Sequence, residues 1–184
     1  MAGVKEYPSQ GDAGRAERPG GQWTGKDDPW FRTVGALDEL NSAVGWSRAA
    51  CAGQKDLSAR LLQLQRDIFA VGAVLGGWRP FESSELDTAS LEADIQRMWD
   101  ALPPVSGFVL PGGCELACRL HLARTICRRA ERRLAALAAQ VDPPVHPEIQ
   151  AYMNRLSDWL FAAARWANHE AGVGDDCRHD AEGR

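Results

Sequence analysis

Between His121 and Arg133 the chain reads HLARTICRRAERR, and Arg124, Arg128, Arg129, Arg132 and Arg133 fall within ten residues. Arginine suits multidentate oxyanions, because its guanidinium stays protonated and offers a rigid fork of donors that matches carboxylate and phosphate. On a helix that advances about 100° per residue, with Arg124 at zero, Arg128 lies at about 40°, His121 at about 60°, Arg132 at about 80° and Glu131 at about −20°. These groups share one stripe. Leu116, Leu120, Ile126, Cys127, Ala130 and Leu134 fall between about 200° and 320°, the face such a helix gives to a core, with Arg129 and Arg133 on its flank and Arg119 just inside its edge at about 220°. A solvated basic face is the ordinary reading of a charge run. Solvated helices, however, intersperse acids at four-residue spacing, and here one glutamate serves five arginines. The stripe therefore calls for an anion supplied from elsewhere.

Other segments carry polar groups in the same manner. Asn154, Asp158, Phe161 and Arg165 fall within about 60° of one another at helical spacing, opposite Met153, Leu156, Leu160 and Ala164. Asp38, Asn41 and Ser42 form a third polar stripe, and pairing of Asp38 with an arginine is open. The three stripes can line a cleft between subunits or face water. Cys114, Cys118 and His121 at spacings of four and three sketch a metal site that lacks a fourth ligand, so packing thiols are the favoured reading. His169, Cys177 and His179 near the end raise the same two options. Taken alone, Phe108 reads as a core anchor beside a turn. The seven tryptophans read as core and interface anchors, with Trp159 and Trp166 flanking the last polar stripe.

The elements that must hold these groups are helical. Apolar spacing predicts helices over about 29–51, 55–76, 84–101, 114–140 and 148–171, separated by Gly76-Gly77, Pro103-Pro104, the turn-like SGFVLPGG and VDPPVHPE. No segment alternates with period two for long enough to build a sheet, and no internal repeat is evident. The pattern predicts an all-α, antiparallel bundle of four or five helices. Residues 1–28, with six glycines and two prolines, read as an irregular N-terminal arm, residues 29–172 as the bundle, and residues 173–184 as a disordered tail. A chain of 184 residues, 45% hydrophobic, fits one domain. Its net charge of −4, with positive charge concentrated in one segment, argues against a nucleic-acid binder. No run reaches the roughly 18–20 apolar residues of a membrane span, and no signal peptide is apparent, so a cytoplasmic protein with reduced thiols is expected.

Four blocks together closely resemble the PduO-type ATP:cob(I)alamin adenosyltransferases: KDDPWF..VGALDELNSAVGW from Lys26, FVLPGG from Phe108, LHLARTICRRAERR from Leu120, and YMNRLSDWLFAAARWAN from Tyr152. The resemblance implies a five-helix bundle, a homotrimer with active sites between subunits, and transfer of the 5′-deoxyadenosyl group of ATP to Co(I) of cobalamin with release of triphosphate. It implies that Arg124 pairs with Asp38 at the subunit junction and positions substrate. It makes Arg128 a nucleotide contact, with Arg132 beside it, Asn154 a nucleoside contact and Lys26 a phosphate contact. Glu131 becomes the candidate residue for Mg²⁺. Phe108 matches the aromatic side chain that occupies the lower face of the corrin and helps exclude the axial base. A cobalamin reductase or an adenosylcobalamin-dependent enzyme is the kind of protein partner implied.

In that family the arm resembles TxTGDxGxT, a phosphate-wrapping loop. Here Gly11, Asp12 and Gly14 are kept, while the threonine positions hold Pro8, Gln10 and Ala16, with Arg15 just before the last. Hydroxyl donors are lost where phosphate oxygens are expected, and Ser9 and Arg15 are the candidates to compensate. A second expectation follows, a diverged corrinoid-binding or delivery protein of the same fold that does not transfer the adenosyl group.

Overall fold

The computed structural model describes residues 11–178, except 52, 83–85, 106 and 141–144. Its helices are α1 (Pro29–Ala49), α2 (Lys55–Leu75), α3 (Thr88–Ala101), α4 (Glu115–Ala138) and α5 (Pro147–Glu170). The starts are set by local chemistry. Asp28 accepts from the Trp30 amide at 2.8 Å ahead of Pro29, and Asp87 accepts from the Ser90 amide at 2.9 Å. Each cap satisfies an amide that has no partner within its helix, and proline at the first helical position lacks only a donor that would be unpaired there.

Helix α1 packs between α2 and α4, and α5 packs between α4 and α3. Side-chain pairs fix the directions. Thr33 meets Arg133, Glu39 meets Arg129 and Trp46 meets Arg119, so α1 and α4 are antiparallel. Cys127 meets Met153 and Cys114 meets Ala167, so α4 and α5 are antiparallel too. Glu92 meets Arg155, Asp94 meets Trp159 and Trp99 meets Phe161, so α3 runs parallel to α5. The core is a continuous set of aliphatic and alanine side chains that includes Leu40, Leu64, Leu91, Leu120, Leu134, Met153, Leu156 and Leu160. Small buried residues in α5, Ala162, Ala163, Ala164 and Ala167, let the neighbouring helices approach closely.

Two expectations are corrected. The arm is not wholly irregular, because β1 (Arg15–Glu17) and β2 (Trp23–Gly25) form an antiparallel hairpin with Ala16 opposite Thr24. Within the segment read as a tail, residues 173–178 are placed and include a strand. β4 (Cys177–Arg178) pairs with β3 (Phe108–Val109) inside the segment read as a turn, and Leu110 donates to the Asp176 carbonyl at 2.7 Å. Strands of two or three residues are too short to show alternation, which is why spacing missed them. Pro8, Ser9, Gln10 and His179 lie outside the described residues. Among those residues, no helix is long and apolar enough to cross a membrane.

Candidate active site

The direction of α4 gives the site its axis. Its C-terminal half lies at the end of the bundle that carries the start of α1 and the arm, since Arg133 donates to the Arg32 carbonyl at 3.0 Å. Its N-terminal turn lies at the opposite end, beside the close of α5 and the Phe108 segment, where Asn168 binds the Cys114 amide. The arginine stripe runs between these ends.

The six arginines of α4 between Arg119 and Arg133 divide into two groups. Arg119 ion-pairs with Glu115, donates to the Trp46 carbonyl at 2.6 Å and lies over the Trp46 ring. Arg129 ion-pairs with Glu39, and Arg133 holds the Arg32 carbonyl. These flanking arginines fasten α4 to α1. Arg124, Arg128 and Arg132, the stripe itself, have no carboxylate partner among the described residues, and Arg128 and Arg132 are exposed. Arg124 is half-buried, its guanidinium lies 5.6 Å from the Phe161 ring centre, and its Nε is buried without a partner. Burial, and then the neighbouring Arg128, hold the Arg124 pKa below its usual value. Like charges with no counter-charge form a site that gains from binding an anion.

At the same end as Arg132, the arm builds a small loop. Gly14 donates to the Gly11 carbonyl at 3.3 Å and Lys26 donates its amide to the Gly14 carbonyl at 2.9 Å. A Cβ on Gly11 would meet the Lys26 ammonium nitrogen at 3.2 Å, so the absence of a side chain lets Lys26 lie against the loop. Gly14 has φ +74°, a conformation glycine adopts freely. The structure thus joins Gly11, Gly14 and Lys26, with Asp12 exposed between the glycines. Arg15 donates to the Trp23 carbonyl at 3.0 Å across the hairpin.

Asn154 is exposed on α5, next to Met153, whose carbonyl accepts from Cys127. Asn154 and Arg128 are therefore level across the α4–α5 pair. Glu131 is half-buried beside the stripe. Asp38 stands on α1 in an apolar groove against α2, with Trp30, Phe31, Val34, Phe69 and Trp78. Within one chain Asp38 and Arg124 form no ion pair among the described residues. Phe108 is 71% exposed on β3, so alone it is not the core anchor that its apolar run proposed.

Two side chains placed on polar stripes by spacing are interior. His121 is 1% exposed, both ring nitrogens lack partners, and its ring lies 6.1 Å from that of Phe161. Burial, and then Arg124, push its pKa down, against a smaller opposing pull from Asp175. Arg165 is 2% exposed and ion-pairs with Asp175 at 2.6 Å. Sequence reasoning missed this pair, and Asn168 with it. The available signal was a charged and an amide residue inside the otherwise apolar run FAAARWAN. The thiols of Cys114, Cys118 and Cys127 donate to the carbonyls of Ala167, Gly113 and Met153.

A bare arginine stripe, a glycine-lysine loop at one end and an exposed aromatic at the other make this a helical bundle whose charge suits a polyanion. A sequence profile described as cobalamin adenosyltransferase matches residues 6–167, and the chain belongs to that family. It is 39% identical over 178 residues to a corrinoid adenosyltransferase of Bacillus subtilis, covering 94% of this chain and 91% of that protein. It is 40% identical to the corrinoid adenosyltransferase PduO of Salmonella typhimurium, covering 90% of this chain and 50% of that longer protein. Among solved structures, a phenylalanine-to-alanine variant of a PduO-type ATP:corrinoid adenosyltransferase from Lactobacillus reuteri, complexed with cobalamin and ATP, superposes with a TM-score of 0.87. The identity is 35%, over 95% of this chain and 99% of that one.

Proposed function

We propose that this protein transfers the 5′-deoxyadenosyl group of ATP to the Co(I) centre of cobalamin or another corrinoid. The Co(I) electron pair forms a Co–C bond to C5′, the C5′–O bond breaks, and triphosphate leaves with the bonding pair. The observation that carries this reading is the bare stripe: Arg128 and Arg132, the two exposed arginines that would meet a triphosphate, have no carboxylate partner among the described residues.

The nucleophile is the reduced cobalt, so the chain has to supply position and charge. Arg128 and Arg132 stabilise the leaving triphosphate, on which negative charge grows as the C–O bond breaks. Lys26 and the Gly11–Asp12–Gly14 loop close on the phosphates from the arm. Asn154, level with Arg128, orients the nucleoside. Phe108 presents an apolar ring to the lower face of the corrin, where it fills the axial position without donating a ligand.

Asp38 and Arg124 pair across a subunit junction. The exposed apolar groove beside Asp38 supports this, and the assembly is a homotrimer with the site between copies. The family implies Mg²⁺, which usually takes one or two carboxylates and completes its shell with water and phosphate oxygens. Glu131 beside the stripe fits that donor set and would hold the ion against the phosphates, where it supplies charge neutralisation. The protein works in the cytoplasm, where a cobalamin reductase or an adenosylcobalamin-dependent enzyme is a fitting partner.

Calorimetric titration tests the stripe. Arg128→Ala weakens binding of ATP and of free tripolyphosphate by roughly tenfold or more, the scale of losing a charge-assisted contact of about 1.5–3 kcal/mol. Arg129→Ala changes it little. Equal affinities in the two variants would remove the triphosphate from the stripe. Cobalamin binding without any ATP binding would mark a corrinoid carrier instead.

A further inference from the structure

The side chain of Phe108 is 71% exposed, so its own packing does not set where the ring stands. Its backbone is held from three sides by one buried polar cluster. Upstream, Arg165 donates to the Pro103 carbonyl at 2.8 Å and stacks its guanidinium 4.8 Å from the Trp99 ring centre, at the close of α3. Downstream, Asn168 accepts from the Cys114 amide at 2.9 Å and donates to the Gly112 carbonyl at 3.2 Å. Gly113 has φ +102°, and a Cβ there would collide with the Asn168 amide, so the loop is pressed against that side chain. Laterally, β4 pairs Arg178 with Phe108 and Cys177 with Val109.

Asp175 joins these three holds. Its carboxylate accepts from Arg165 Nε at 2.6 Å and from Asn168 Nδ2 at 3.3 Å, two residues before the strand that pairs with Phe108. Arg165 and Asn168 are each 2% exposed, and burying such groups is costly unless each is paired. The bundle already has an apolar core here, so the pair gives direction more than stability.

We propose that Arg165, Asn168 and Asp175 are positioning residues for the transfer reaction, clamping the 173–178 segment onto the bundle so that the β3–β4 pair holds the Phe108 ring at a fixed height against the corrin. The proposal rests on the reading of Phe108 given above. It assigns the C-terminal segment a part in catalysis through geometry, with no substrate contact required of the three residues.

The test uses the full chain with ATP and cobalamin and compares Asn168→Ala, Asp175→Ala, the double variant Arg165→Leu/Asp175→Leu, and Phe108→Ala. Asp175→Ala strands a buried arginine and loses thermal stability, whereas the double variant removes both charges and regains it. The clamp predicts that kcat stays down by about tenfold or more in all of them, with KM for ATP changed by less than about twofold, as for a misplaced reacting group. In the electron paramagnetic resonance of bound Co(II) cobalamin, the nitrogen splitting of an axial base returns in each variant, as in Phe108→Ala. A double variant with wild-type stability, wild-type kcat and no axial-base splitting, beside a Phe108→Ala that loses kcat and shows the splitting, overturns the clamp and leaves Phe108 in place. A Phe108→Ala with unchanged kcat and spectrum overturns the reading of Phe108, and the clamp with it.

Discussion

Residue chemistry separates the arginines that build the bundle from those left for a ligand. Spacing alone placed Arg124, Arg128 and Arg132 on one stripe, and the structure finds them bare while Arg119, Arg129 and Arg133 are engaged. That much was legible because helical geometry is regular. The fates of His121 and Arg165 were not, because the side chains that cover them, Phe161 and Asp175, come from segments whose positions only the fold fixes. His121 gives a prediction of its own. Burial and Arg124 hold its pKa below the usual value, so below about pH 6.5 the folded state binds fewer protons than the unfolded one. Stability is therefore complete above that pH and falls as the pH drops through it. Denaturant midpoints measured from about pH 5 to 7 should slope upward for the native chain and flatten in His121→Leu.

At the scale of elements, the five helices were readable from apolar spacing, from Asp28-Pro29 at the first start and from the Gly76-Gly77 stop. The helix expected from residue 84 begins at Thr88, one residue after its Asp87 cap. The two hairpin-like pairs escaped notice because their strands borrow order from what they pack on. The β1–β2 hairpin stands on the start of α1, where Arg18 ion-pairs with Asp28 at 3.7 Å, and β4 follows the Asp175 anchor. Energetically the α1–α4–α5 layer dominates, since the fully buried side chains of Leu40, Leu134, Leu156 and Leu160 belong to it. Leu134→Ala should cost about 2–5 kcal/mol by the usual scale for a large-to-small core change. Urea unfolding would show it as a lower midpoint at unchanged slope, and a loss under about 1 kcal/mol would mean that α4 is packed more loosely than described.

Across the whole molecule, α4 acts as a rail. The arm loop stands at one end, the Phe108 strand at the other, and the bare arginines lie between, so one rigid helix sets the distance from the proposed phosphate site to the proposed corrin site. Among the described residues, nothing covers the exposed aromatic rings between α1 and α2. The α1–α2 groove near Asp38 exposes Phe69 by 66%, beside Trp78 at 78%. With a second copy seated there, Phe69→Asp should give monomers in sedimentation experiments, with helical circular dichroism kept and turnover lost. Trimers that survive the change would place the junction elsewhere. The central claim is that the bare stripe serves adenosyl transfer. Its most direct test is anaerobic incubation with ATP, Mg²⁺ and chemically reduced cobalamin, followed by absorbance, for the native chain and Arg128→Ala. The native chain should replace the Co(I) bands with those of adenosylcobalamin, and Arg128→Ala should be slower by about 10²–10³-fold, the scale of losing one donor to a developing oxyanion. Persistent Co(I) bands with the native chain, or equal rates in the two, would contradict it.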